Sequence, residues 1–141
     1  MLPLILWYLN LAFLPASLLA AAILGGRDER MTVGFILLAI IGTHFALSGM
    51  GERYHAAELR VLAVDALLAV ALIALALRSD RFWPIWAASF HLLAVYTHLS
   101  ILLAERIAPL PYGIIAGTWA FPTQGALLIG AWGHYRRSRR V

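Results

Sequence analysis

Charged residues in this chain are gathered into short clusters. The stretches between them are apolar and each about 20 residues long, the length an α-helix needs to cross ~30 Å of hydrocarbon. This spacing predicts an all-α integral membrane protein, a bundle of five transmembrane helices that fills residues 1–141 as a single transmembrane domain. The expected spans are residues 3–24, 31–50, 57–77, 82–103 and 112–132. Gly25, Gly26, Arg27, Asp28, Glu29 and Arg30 form the first break, and Pro109 and Pro111 stiffen the last one. The apolar run 66–77 is too short to span alone, so Asp65 is drawn inside the third helix. Five spans leave no stretch for a soluble domain.

Composition points the same way. Hydrophobic residues make up 62% of the chain and charged residues 13%, against roughly 45–50% and 25% in soluble domains. A soluble globular fold and a disordered chain are both excluded on these values. The absence of cysteine removes disulfide frameworks, thiolate metal sites and thiol nucleophiles. All 11 cationic side chains are arginine, so no Schiff-base or P-loop lysine exists. Neither Gly-x-Ser-x-Gly nor His-Glu-x-x-His occurs, and hydrolytic chemistry gains no support.

Arginine placement sets the orientation. Arg27, Arg30, Arg78, Arg81, Arg136, Arg137, Arg139 and Arg140 fall on one side, and only Arg53, Arg60 and Arg106 on the other. The positive-inside rule then predicts an external N-terminus and a cytoplasmic C-terminus. The first segment lacks a basic leader, and reading it as a cleaved signal peptide would invert this charge bias, so it is expected to be a span. Beside a membrane helix, the basic tail reads as an anchor on anionic lipid rather than a nucleic-acid site. The Ala/Leu/Arg-rich, lysine-free composition suggests a GC-rich bacterial genome and a multi-pass inner-membrane protein.

Polar side chains inside apolar spans are costly, and they are the first place to look for function. Here they are Asn10, His44, Asp65, His91 and His98, with Thr123 and Gln124 near Pro122. Counting ~1.5 Å per residue puts His44 and His98 roughly 8–9 Å below the outer boundary, with Asp65 and Asn10 near that level. Four helices are therefore expected to bring a polar cluster together in the outer leaflet. His55, Glu58 and Asp65 fall within an arc of about 80° on the third helix, a polar stripe running down from the outer surface.

Three readings follow. The leading one is a non-catalytic accessory subunit or homo-oligomer that binds no cofactor. In it Asp65 pairs with Asn10, His44 or an arginine as interhelical glue, and Gly113 and Gly117 offer a close-packing face. A second is a redox protein holding one b-type haem between His44 and His98, or a quinone. Gly42, Ala46 and Ala94 would make room, while His91 lacks a histidine at its own depth. A third is a proton-coupled transporter of an ion or small molecule that uses Asp65 below the His55–Glu58 stripe. Pro122 is expected to break the fifth helix mid-membrane and free the Thr118 carbonyl. The partners implied are the bilayer and a second membrane protein or copy of this chain, and no nucleic acid. Reporter fusions test the topology: one at Val141 should read cytoplasmic, and one between Gly51 and Arg60 external.

Overall fold

The computed structural model describes the backbone of residues 2–47, 54–103 and 118–140, and the side chains of 8–46, 59–100, 103 and 118–140. Among the described residues the fold is all-helical. It comprises α1 (Leu2–Leu24), α2 (Arg27–Leu47), α3 (Tyr54–Arg78), α4 (Trp83–Leu103) and α5 (Ala120–Ser138). Two of these helices contain stretches long and apolar enough to cross a membrane, Arg27–Ala46 in α2 and Leu59–Arg78 in α3. A shorter apolar stretch, Tyr8–Leu24, lies in α1.

Two boundaries differ from expectation for clear reasons. The cluster expected to form the first loop is mostly helix: α2 starts at Arg27, and its first turn carries Asp28 and Glu29. Acidic side chains there oppose the positive end of the helix dipole and cap free N–H groups, so the charges favour helix at that position. The link from α1 to α2 is thereby reduced to Gly25 and Gly26. The last helix runs on into the basic tail as far as Ser138, and its final turn carries Arg136 and Arg137 at the negative end of its dipole. Pro122 lies in the first turn of α5: Thr118 is helical, Trp119 forms a turn and α5 resumes at Ala120, so the helical path is interrupted within one turn of the proline. Gly113, Gly117, Pro109 and Pro111 lie outside the described residues.

The helices pack in the ring order α1, α5, α4, α3, α2 and back to α1, and α2 also reaches α5. Helices α1 and α5 run parallel in register, because Phe13 stacks on Phe121 at 5.6 Å, Ser17 meets Gln124, and Gly26 meets His134. The core comes from one face of each helix. Leu68, Leu72 and Leu75 follow a helical period on α3, and Ala87 and Ala88 pack from α4. Leu72 and Leu127 are fully enclosed.

A polar clamp closes one end of this core. Gly26 is the N-cap of α2, its carbonyl accepting from Arg30 N–H at 3.1 Å. Three residues on, Glu29 turns back so that Oε2 accepts the Gly26 N–H at 2.8 Å, one half of a capping box. Its Oε1 accepts the indole N–H of Trp83, the first residue of α4, at 2.9 Å. The indole in turn lies flat over Gly130 of α5, where an added Cβ would come within 2.5 Å of the ring. Glu29 and Trp83 are both buried. Next to them, Ser79 in the α3–α4 link donates to Asp28 Oδ2 at 2.5 Å.

This geometry predicts opposite outcomes at two helical glycines. Gly130→Ala must displace Trp83 and should lower the melting temperature in detergent. Gly34→Ala meets nothing within 4 Å and should be neutral or stabilising by up to about 1 kcal/mol. Glu29→Ala strands the Trp83 donor and should cost about 1–3 kcal/mol, less in a Trp83→Phe background.

Candidate functional site at the α3–α4 interface

Helix α3 carries one acid in its apolar length, Asp65, and α4 carries His91 and His98 two turns apart on one face. Because α3 and α4 pack closely, that face of α4 meets Asp65. His98 Nε2 lies 2.9 Å from Asp65 Oδ2, a charge-assisted contact when the imidazole is protonated. His91 Nε2 lies 3.9 Å from Asp65 Oδ1. The same nitrogen donates to the backbone carbonyl of Asp65 at 3.1 Å, which places its ring hydrogen on Nε2. Both histidines are buried, and the Asp65 side chain is 18% exposed. One carboxylate is thus held between two imidazoles, and each of the three groups can carry a proton.

A second polar contact ties α1 to α5. Ser17 and Gln124 are both buried, with Ser17 Oγ 2.7 Å from Gln124 Oε1 and 2.9 Å from the Leu14 carbonyl. A hydroxyl has a single proton, so the two contacts are satisfied together when it donates to Leu14 and the Gln124 amide presents its NH2 group. Thr123 is buried as well, but its hydroxyl turns back to the Trp119 carbonyl at 2.9 Å. On the neighbouring interface Trp119 donates its indole N–H to Thr97 at 3.1 Å. Among the described residues, every fully enclosed side-chain nitrogen or oxygen has a hydrogen-bond partner.

These contacts rearrange the expected polar layer. Asp65 and His98 meet, as their matched depths suggested, but the partners anticipated for Asp65 were Asn10, His44 or an arginine, and it takes His98 and His91 instead. His91 is therefore not isolated at its level, because Asp65 reaches it through both main chain and side chain. His44 is exposed on α2, its ring edge-on to Phe45 at 6.1 Å. Helices α2 and α4 are not neighbours in the ring; they meet through the Glu29–Trp83 hydrogen bond at the start of both helices, whereas His44 and His98 lie towards their other ends. Asn10 is half-buried on α1. The side chains of His55 and Glu58 lie outside the described residues, and the upper part of the polar stripe lies there with them.

The same facts bear on a haem. His98 directs Nε2, the usual axial nitrogen, at Asp65, and His44 is exposed on α2, a helix that is not α4's neighbour in the ring. Gly42, expected to make room for a porphyrin, packs on Val64 of α3, and a Cβ there would come within 3.3 Å of it. Ala46 is buried in the bundle. The residues present do not fit an axial His44–His98 pair. Among the described residues no group of three or more His, Asp or Glu side chains is arranged to hold a metal ion.

The Glu29–Trp83 clamp escaped sequence reasoning. Its one signal was Gly26 three residues before Glu29, which has the spacing of a capping box without the usual hydroxyl residue. Comparison with protein-family models, with curated proteins and with solved structures yields no match.

A double-mutant cycle tests the site. Asp65→Asn and His98→Gln should couple by about 0.5–3 kcal/mol in detergent unfolding, whereas Asp65→Asn and His44→Ala should add to within about 0.5 kcal/mol.

Proposed function

We propose that the protein is a small multi-pass inner-membrane protein, with its N-terminus outside and its C-terminus cytoplasmic, whose working centre is the Asp65–His98–His91 cluster. The cluster binds a proton between α3 and α4 and couples its movement to that of an ion or small molecule. Support for the bilayer comes from the outer faces of the helices. Only 22% of each of the two candidate spans is buried within the bundle. Leu38, Phe45, Leu67, Val70 and Leu77 turn outward, with Leu77 83% exposed. Apolar area left in water costs about 25 cal/mol per Å², and soluble monomers do not carry such surface over whole helices.

The observation that carries the proton reading is the 2.9 Å contact between Asp65 and His98, with His91 on the same face of α4. A carboxylate facing hydrocarbon would be prohibitive, and pairing it with imidazoles keeps it tolerable while leaving a proton to exchange. The two histidines sit at successive levels of α4: His98 Nε2 faces the carboxylate, and His91 holds the Asp65 main chain through its Nε2–H.

A second reading is supported by the pairing, among the described residues, of every enclosed polar side-chain atom. It makes the chain an accessory subunit or homo-oligomer, with the same cluster serving as a latch between α3 and α4. The two readings separate on an isosteric change. Asp65→Asn keeps an acceptor for His98 but cannot be protonated in the working pH range. In liposomes under an imposed potassium diffusion potential, wild-type protein should acidify the lumen, as read by an enclosed pH dye. Asp65→Asn should abolish that flux while keeping the melting temperature within a few degrees. Equal proton flux in wild type and variant would remove Asp65 from any proton path and leave the latch, for which Asp65→Leu should lower expression and melting temperature. Mass measurement in a gentle detergent reads the latch reading directly, because it requires a discrete oligomer or a retained partner.

A further inference from the structure

Towards the opposite end of the bundle from Asp65, the α1–α2 turn and the last turns of α5 border a shallow, open cavity of about 520 Å³. Gly25, Gly26, Arg27, Arg30, Met31 and His134 line it. The cavity exists because the turn is made of two glycines and His134 lies directly on one of them. A Cβ on Gly26 would fall 2.7 Å from the imidazole. Ligand pockets commonly measure ~300–1,000 Å³, so this one has room for a headgroup-sized molecule.

The charges around it are unbalanced. The two acids of the same helical turn point elsewhere: Asp28 accepts from Ser79, and Glu29 is buried against Gly26 and Trp83. Arg27 and Arg30 are three apart and so share one face of α2. Both are exposed, and neither makes an ion pair among the described residues. Arg30 donates its Nε–H to the Ala22 carbonyl at 3.1 Å, which anchors the guanidinium to the end of α1 and leaves its terminal nitrogens to turn outward. Two guanidiniums beside an imidazole, without a carboxylate among them, match the oxygen fork of a phosphate group. The remaining wall is apolar, with Met31 in the lining and Ile23 exposed one turn before Gly26.

We infer that this cavity binds the phosphate of an anionic phospholipid headgroup, held by Arg27 and Arg30 against His134, with the acyl chains lying along the apolar helices. The site rests on the membrane reading but not on the proton role of Asp65. It differs from the basic tail, where Arg136, Arg137, Arg139 and Arg140 are exposed and offer only diffuse attraction to the surface.

Native mass spectrometry of the full chain, released from a neutral detergent, tests the inference with phosphatidylglycerol, phosphatidylcholine and inorganic phosphate as separate probes. Phosphatidylglycerol should be retained as a discrete one-to-one adduct, at least fivefold more than phosphatidylcholine. Arg27→Gln should reduce that retention at least fivefold, and since the Arg27 side chain makes no hydrogen bond or ion pair among the described residues, the fold should be undisturbed. Arg30→Lys keeps the charge but loses the fork, and should reduce it by less. Replacing the four tail arginines by glutamine should leave the adduct in place. Equal retention of the two lipids, equal retention in wild type and Arg27→Gln, or loss only in the tail variant would overturn the proposal. So would inorganic phosphate competing the lipid away at micromolar concentration, which would make a soluble phosphate the ligand. An Asp65→Asn protein that lacks proton flux but retains the adduct, or the reverse, keeps this result separate from that of the proton reading.

Discussion

Glu29 is an acid buried inside a small helical bundle, and the arrangement of four helices at that end depends on where its two oxygens go. One oxygen caps α2 through the Gly26 N–H and holds the two-residue turn from α1. The other accepts the Trp83 indole and sets the start of α4. The indole covers Gly130 and so fixes how closely α5 approaches. Burying an ionised carboxylate is costly, and this cost is offset only when its oxygens are well satisfied by donors. The same requirement makes the clamp specific, since shifting any of these helices by a turn would strand the acid or the indole.

The far half of the bundle is organised on a different polar contact. Asp65 joins α3 to two levels of α4 through His98 and His91, and Ser17 with Gln124 joins α1 to α5. Between the two ends the contacts are those of small and branched apolar residues, with Leu72 and Leu127 at the centre. Dispersion and close packing hold such a middle section together, but they select register weakly, because one apolar turn resembles the next. The polar contacts at either end supply that selection. A bundle built this way leaves its outer faces apolar and concentrates chemistry where charged groups must turn inward.

Much of the fold is legible in the sequence. The five apolar stretches and the clusters between them correspond to five helices, and the Asp65 and His98 levels agree because both were counted along helices from charged ends. Helix boundaries were less legible. Arg27 to Arg30 look like a loop by charge, but Asp28 and Glu29 stabilise the first turn of a helix, so α2 begins four residues earlier than hydropathy alone suggests. The site was legible as a set of residues and not as a set of pairs. His44 and His98 share a depth, but depth is a coordinate along the helix, and whether two side chains meet depends on rotation about each axis.

The amino-acid sequence by itself determined that this chain is helical, which apolar stretches form the helices though not their ends, and which few ionisable groups lie within those stretches. Each of these follows from local composition and a fixed rise per residue. Only the tertiary structure decided that α4 packs against α3 and meets α2 at its Trp83 end, and so that Asp65 takes His98 and His91 while His44 faces outward. Packing order in a ring of similar apolar helices depends on the fit of side chains such as Trp83 on Gly130 and Val64 on Gly42. Those contacts join residues far apart in the chain, and no periodicity within a single segment encodes them.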